Sequence, residues 1–443
     1  MKKRIAMSVL AVGLLSSVNV YGAEDLSSMF SEGKVSGQIR EFSISRATDY
    51  SIKGDYTRSA NAIGGYLKYE TADLMGLSAG AAFYTTNGFG LSGTTSKVDP
   101  TLLGKNNDGY SMLGEAYLQY KRGNTAFKGG RQKLDTPLAG SDDARMLPNL
   151  FEAYVLSNTD IENTTLIAAH VTKFAQGTFG RGYAGGILGV TSGYSILATP
   201  DNTGDFVNMG EYAIGESTKG VTAGAVIYKM NDNVSAQVWD YYAYDILNAV
   251  YGQVDLKWKC LLTDKAQPFF SAQFIKESDI GDKLAGNVEG MYWGAKFGAK
   301  IDNLTAYVAY SETGDNSSTD AATANAIISP WGGMPAYTQG MVTRHQFLAG
   351  TKASKIAATY DFKNFGPNVN ATVYYASYDM DAYSGYGGAR TATEPGFDII
   401  YNDAMIKNLQ LRLRGNFPRK YSESSVNGDR DWNEYRVIVN YNF

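Results

Sequence analysis

Apolar and polar residues alternate with a period of two along most of the chain. They do so in stretches of about ten residues, broken by Asn-, Asp- and Gly-rich points. At the very end Tyr435, Val437, Val439, Tyr441 and Phe443 share one face, and Arg436, Ile438, Asn440 and Asn442 share the other. Just upstream, Leu409, Leu411 and Leu413 alternate with Gln410, Arg412 and Arg414. The pattern predicts strands at 34–46, 62–70, 77–87, 110–121, 124–133, 151–157, 163–173, 220–229, 234–243, 249–259, 267–277, 288–301, 304–312, 354–362, 368–378, 396–403, 408–416 and 433–443. That is about eighteen, an even number. A further stretch near 206–214 is too short and alternates too poorly to count.

Alternation alone fits a soluble sandwich, with apolar faces packed on each other, as well as a membrane barrel, with the apolar face toward lipid. The connections separate the two. Short turns rich in Asn, Asp and Gly, such as 122–123, 230–233 and 302–303, alternate with longer polar segments at 47–61, 88–109, 134–150, 174–219, 314–353, 379–395 and 417–431. The exception is a short connection near 246–247. Short turns on one rim and long loops on the other are the mark of an outer-membrane barrel. The expected fold is therefore all-β, a single transmembrane antiparallel β-barrel. Its last strand pairs with its first, so no edge is left open. Terminal Phe443 suits recognition by the barrel-insertion machinery, and Trp258 and Trp293 at strand ends suit aromatic girdles in outer-membrane lipid.

Composition is consistent with this. Mean hydropathy is slightly negative, too polar for a helical membrane protein but natural where only every second residue meets lipid. A net charge of -4 gives no support to a nucleic-acid partner. Lys2, Lys3 and Arg4, then an apolar run from Ile5 to Leu15, then small residues up to Gly22 and Ala23, read as a secretory signal over 1–23. The barrel then occupies 24–443, and export puts it in the bacterial outer membrane. One cysteine, Cys260, excludes an internal disulfide, and two histidines, His170 and His345, are too few and too far apart for a His-ligated metal. Asp379 and Asp381 offer oxygens of the kind Ca²⁺ takes, but read more simply as a solvated charge cluster; no cofactor is called for. With two histidines and no GxSxG elbow, the residues do not point to an enzyme.

Strict alternation puts Arg412, Arg414 and Arg436 on the polar, lumen-facing side of the last two strands. Facing lipid near the midplane would cost each about 2–4 kcal/mol. Pairing of the first and last strands brings Arg40 beside them, and Lys68 continues the polar face on the second strand. Such charges either select solute or simply pair and stiffen the wall. Arg131 and Lys133 stay unphased, because Gly129–Gly130 is a candidate bulge.

The run GRQ at 130–132, TPL at 136–138, SDDAR at 141–145, LPN at 147–149 and FEAY at 151–154 resembles the OprD-type outer-membrane porin family. ISPWGG at 328–333 strengthens the likeness. The strand pattern carries it over essentially the whole mature chain; the specific motifs cover a small part. The resemblance implies an eighteen-stranded barrel whose third long loop, here 134–150, folds into the lumen as a constriction. It also implies passage of small hydrophilic solutes and ions, among them carboxylates or amino acids, along a basic ladder. The loop would present Asp142, Asp143 and Arg145 opposite the ladder, setting a transverse field, although both aspartates also suit turn residues bonded to their own backbone. FEAY departs from the family, where Gly often follows Phe-Glu, so substrate preference is not carried over. The rival reading is a surface adhesin or structural barrel whose long loops contact host surfaces. Oligomeric state is left open, a homo-trimer included.

Overall fold

The computed structural model describes residues 22–88, 97–198 and 204–443. The expected signal lies, but for its last two residues, outside the described residues. In chain order the elements begin with the helix α1 (Leu26–Ser31) and the strands β1 (Lys34–Tyr50), β2 (Tyr56–Glu70), β3 (Leu77–Asn87), β4 (Tyr110–Arg122), β5 (Thr125–Gln132), β6 (Leu150–Asn158) and β7 (Thr164–Ala175). There follow α2 (Gly186–Thr191), β8 (Val207–Asn208), α3 (Met209–Ile214), β9 (Val221–Tyr228), β10 (Val234–Ala243), β11 (Leu247–Lys257), β12 (Ala266–Asp279), β13 (Met291–Ile301) and β14 (Leu304–Thr313). The last five strands are β15 (Thr351–Asp361), β16 (Val369–Met380), β17 (Arg390–Asn402), β18 (Leu409–Asn416) and β19 (Arg430–Asn442).

All pair antiparallel with their neighbours in one sheet of nineteen strands, which closes where β1 runs beside β19 from Gln38↔Asn442 to Tyr50↔Arg430. Gly37 and Phe443 complete the seam by exchanging backbone hydrogen bonds of 2.9 and 3.1 Å. The two-residue β8 stands outside the ring. It touches only the end of β7, at Lys173↔Asn208 and Phe174↔Val207, while β9 pairs with the rest of β7. Eighteen strands therefore make the wall, and the discounted stretch near 206–214 is β8 followed by α3, not a staff of the barrel.

The outer face carries the apolar members of each alternating set. Leu67, Phe83, Val238, Phe297, Val308, Val373 and Val437 are all exposed large apolar residues. Trp258 just past β11 and Trp293 near the start of β13 lie on that face at opposite rims. Several strands run beyond their expected ends on the long-loop side. The expected 47–61 loop is mostly β1 and β2, leaving a connection of 51–55 only, and β17 starts at Arg390 instead of 396. Above the lipid the outward residues no longer need to be apolar, so period-two patterning fades although the ladder continues.

Candidate functional site

β5 delivers the chain into 133–149, and β6 takes it out again. The pairing of β5 with β4 and β6 stays in register across Gly129–Gly130; the breaks lie instead at Ala82/Phe83 and at Glu152/Ala153. Gly130 has φ +125° because the backbone passes so close to β4 that a Cβ would lie 2.3 Å from the Ala116 carbonyl oxygen. With the phase settled, Lys128 faces the lumen, whereas Arg131 faces out beside Glu152 at 3.9 Å. Lys133, at the start of the loop, turns back inside to line the lumen.

The loop ties itself into a compact hairpin. Asp135 accepts from the Ser141 backbone N–H at 3.0 Å and from its hydroxyl at 2.5 Å. The Thr136 hydroxyl donates to the Ala139 carbonyl at 2.9 Å, and Asn149 Nδ2 donates to the Gly140 carbonyl at 3.1 Å. These bonds explain the Thr-Pro-Leu and Leu-Pro-Asn positions: they replace the strand ladder the loop has left.

Two other long connections, 176–220 in its described parts (176–198 and 204–220) and 314–350, fold inward and lock onto it. The Gly140 N–H donates to the Trp331 carbonyl at 2.9 Å, and the Gly332 N–H to the Gly193 carbonyl at 2.9 Å. Gly332, at φ +78°, could carry no side chain, since a Cβ would lie 2.2 Å from the Gly140 oxygen. Arg344 grips Asp142 through two nitrogens at 2.7 and 2.9 Å and donates to the Ser192 carbonyl at 3.0 Å; the Tyr194 hydroxyl bonds the same carboxylate. Glu394 on β17 accepts from the backbone N–H groups of Met341 and Thr343 at 2.5 and 2.7 Å.

The lumen is filled unevenly. Leu138, Ala139 and Trp331 from the loops pack with Met209 and Tyr212 of α3 against Val155, Val171, Ala223, Trp239 and Tyr241, making a dry core along β6 to β11. The opposite wall, β1, β2 and β17 to β19, carries the charges. Arg40 donates to Asn440 at 2.9 Å, to Asp143 at 2.7 Å and to the Arg145 carbonyl at 2.5 Å. Lys68 lies 3.3 Å from both Glu70 and Glu115. Arg412 pairs with Asp398 through its Nε at 2.8 Å, and Arg414 reaches the same carboxylate at 3.4 Å.

Burial divides these charges. The Arg145 and Arg436 side chains are 0% exposed and meet on Glu434 at 3.0 and 3.1 Å, where Arg46 adds a third contact at 2.8 Å. Arg412 keeps 29% of its side chain open and Asp143 32%. Burial disfavours the ionised Asp143, yet Arg40, with Lys133 and Arg412 further off, holds its pKa below the ordinary aspartate value. A cavity of about 340 Å³ lies against this wall, bounded by Arg40, Lys68, Glu115, Lys128, Lys133 and Asp143. His345, far from any such surface, is fully buried among Tyr378, Tyr386 and Tyr421, and burial pushes its pKa down to about 3.

A barrel closed by its own ends, narrowed by loops and charged along one inner wall is matched by a family model described as outer membrane porin, OprD family, over residues 30–443. The chain belongs to the OprD family. Among solved structures this OprD-family porin is similar to Pseudomonas aeruginosa OpdK with vanillate, at 16% identity and a TM-score of 0.74, over 94% of this chain and 99% of that one. It is also similar to a BenF-like porin from Pseudomonas fluorescens Pf-5, at 16% and 0.75, and to Acinetobacter baumannii OccAB2, at 19% and 0.74, with the same coverage. Pseudomonas aeruginosa OccK2 (OpdF), in complex with glucuronate, matches at 15% and 0.73 over the same shares. No curated protein matches the chain. The family and these neighbours are outer-membrane channels, not enzymes.

Sequence reasoning brought Arg40, Lys68, Arg412, Arg414, Arg436, Asp142, Asp143 and Arg145 into view, and all lie on the inner side of the barrel. It did not find Lys128, Asp398, Glu434, Tyr194 or Arg344. Lys128 and Asp398 share a face with apolar-flanked strand positions and were open to the same alternation test. Arg344 and Tyr194 sit in irregular loops with no period to read.

Proposed function

We propose that the chain forms a water-filled channel for passive diffusion of small hydrophilic solutes and ions across the bacterial outer membrane, with a preference for carboxylates or amino acids. The observation that carries this is the division of the lumen: loops dry out one half, and a cavity is left beside a wall of basic side chains, of which Arg412 is the most open arginine. A solute squeezed against that wall meets Arg414, Arg412, Arg40 and Lys68 in the order of the strand register, with Asp143 at the constriction. A carboxylate moves along such a ladder by exchanging one guanidinium or ammonium partner for the next. Arg145 and Arg436, dry and shared on Glu434, brace the wall, and Asp142 fastens the constriction loop through Arg344. Vanillate and glucuronate, bound by two neighbours, are both carboxylates, which supports the same class here.

Export by the 1–23 leader, insertion through the terminal strand ending in Phe443 and a setting in outer-membrane lipid complete the reading. The ring closes within one chain, so a channel needs no second copy. Spending 314–350 and the described parts of 176–220 inside the barrel speaks for a channel over an adhesin. The test is a liposome-swelling panel of sugars, amino acids and carboxylates, with planar-bilayer recording alongside. Discrete conductance steps and faster entry of carboxylates than of neutral sugars of equal size are expected. Silent bilayers at high protein would favour the adhesin.

A further inference from the structure

The short-turn rim is apolar at its tips. Eight short connections, 71–76, 123–124, 159–163, 229–233, 258–265, 302–303, 362–368 and 403–408, join the strands on that side. Six of them hold out a large apolar side chain: Met75, Ile161, Met230, Leu261 with Leu262, Phe365 and Met405. The exposure is extreme for Leu261 at 99%, Leu262 at 94% and Met405 at 92%. Short turns gain nothing locally from such residues, since tight turns are satisfied by Gly, Asn and Asp. On the long-loop side, over many more described residues, comparable cases are isolated, as with Ile52 and Val426. α1, on the same rim, repeats the feature: Met29 packs inward on Ala23 and Ala72, while Leu26 and Phe30 point away.

We propose that this rim is a lipid-docking surface, its apolar tips inserted into the interfacial layer of the periplasmic leaflet. The occupant follows from continuity. Directly above the tips the outer face carries Tyr120, Tyr228, Trp258 and Tyr441, all exposed, at the height where amphipathic rings meet headgroups. Met230 follows Tyr228 by two residues and Leu261 follows Trp258 by three. Continued at the rise of a tilted strand, those separations span roughly 5–7 Å. The interfacial layer on each side of the hydrocarbon is also roughly 5–7 Å deep. Measured from rings seated at the hydrocarbon edge, the tips therefore reach the outer part of the layer, within range of the headgroups. Charges among the turns are mixed in sign, with Lys229, Lys259 and Lys363 set against Asp160, Asp232 and Asp403, which suits neither a strongly acidic nor a strongly basic protein partner. The rim would fix the height and tilt of the barrel against the leaflet.

The inference rests on the membrane setting proposed above, and the experiment keeps the two apart. Cys260 adjoins Leu261 and is the chain's only cysteine, so it takes an environment-sensitive fluorophore without mutation. A second reporter is Met405→Cys in a Cys260→Ser chain, and a third, Val308→Cys in the same background, marks the lipid-facing middle of β14. The labelled full-length proteins are reconstituted in phosphatidylethanolamine–phosphatidylglycerol vesicles. Quenching by nitroxide-bearing phospholipid is then compared with quenching by aqueous iodide. Lipid quenching at Cys260 and Met405→Cys of at least about half that at Val308→Cys is expected. Iodide quenching at both tips, with lipid quenching at Val308→Cys alone, overturns the rim proposal and spares the membrane setting. Absence of lipid quenching at Val308→Cys overturns both.

Discussion

Replacing Arg412 and Arg414 together by Gln should reverse much of the channel's charge preference. In the native wall two guanidiniums share one carboxylate, Asp398, at 3.4 Å from Arg414 and in direct contact with Arg412. The cluster thus carries about one positive charge, and the double variant about one negative. An ion passing about 6 Å from the wall feels roughly 0.7 kcal/mol per unit charge in water. Salt at 0.1 M, with a screening length of about 10 Å, cuts that nearly in half. Two charges therefore shift each monovalent ion by about 0.8 kcal/mol, in opposite senses for anion and cation. Their ratio moves by about 1.5 kcal/mol, roughly tenfold. In a salt gradient the reversal potential of a single channel should move toward cations by tens of millivolts. Adding Asp398→Asn to the double variant restores a neutral cluster and should bring the potential about halfway back. A double variant that conducts normally with an unchanged reversal potential would mean that the path does not run along β17 and β18.

Three further outcomes are expected. Arg344→Met leaves Asp142 half-gripped and nearly buried, a loss of about 3–5 kcal/mol from a buried pair; single-channel recordings should show larger, noisier currents, and unchanged current and melting would show that other contacts hold the loops alone. Deleting 139–144 removes the Gly140–Trp331 tie along with part of the proposed constriction, so conductance should rise; equal conductance would put the narrowest point elsewhere. Asp143, its pKa depressed mainly by Arg40 against the cost of burial, should stay ionised below the usual aspartate value of about 4. Its contribution to stability is then complete above that value and lost as pH falls through the lower folded-state pKa. Ion selectivity should hold steady from neutral pH to about 4 in the native channel, whereas Arg40→Gln should make it titrate at higher pH; identical pH profiles would remove Arg40 as the cause.

The wall was far more legible than its contents. Alternation located all eighteen strands because lipid demands an apolar residue at every second position. Where that demand ends, above the membrane, 47–50 of β1 and 56–61 of β2 carry Thr, Asp, Arg, Ser and Asn, and these ends looked like loop. Alternation also told which way each arginine points but not how wet it is. Arg436 and Arg412 read alike in sequence; one is sealed against Glu434 and the other stays open beside Asp398. The Gly129–Gly130 pair left Arg131 and Lys133 unphased until the ladder itself showed no bulge there. Inward folding of the described parts of 176–220 and of 314–350 uses backbone bonds such as Gly140–Trp331 and Gly332–Gly193 and an ion pair across 202 positions, contacts that leave no periodic trace.

The most direct test of a path along the charged wall is thiol modification during recording, in a Cys260→Ser background. A negatively charged methanethiosulfonate applied to Arg412→Cys should reduce anion current at once, while the same reagent should leave Ala223→Cys, on the dry side, unaffected. Block at Ala223→Cys with none at Arg412→Cys would put the water on the wrong side of the barrel.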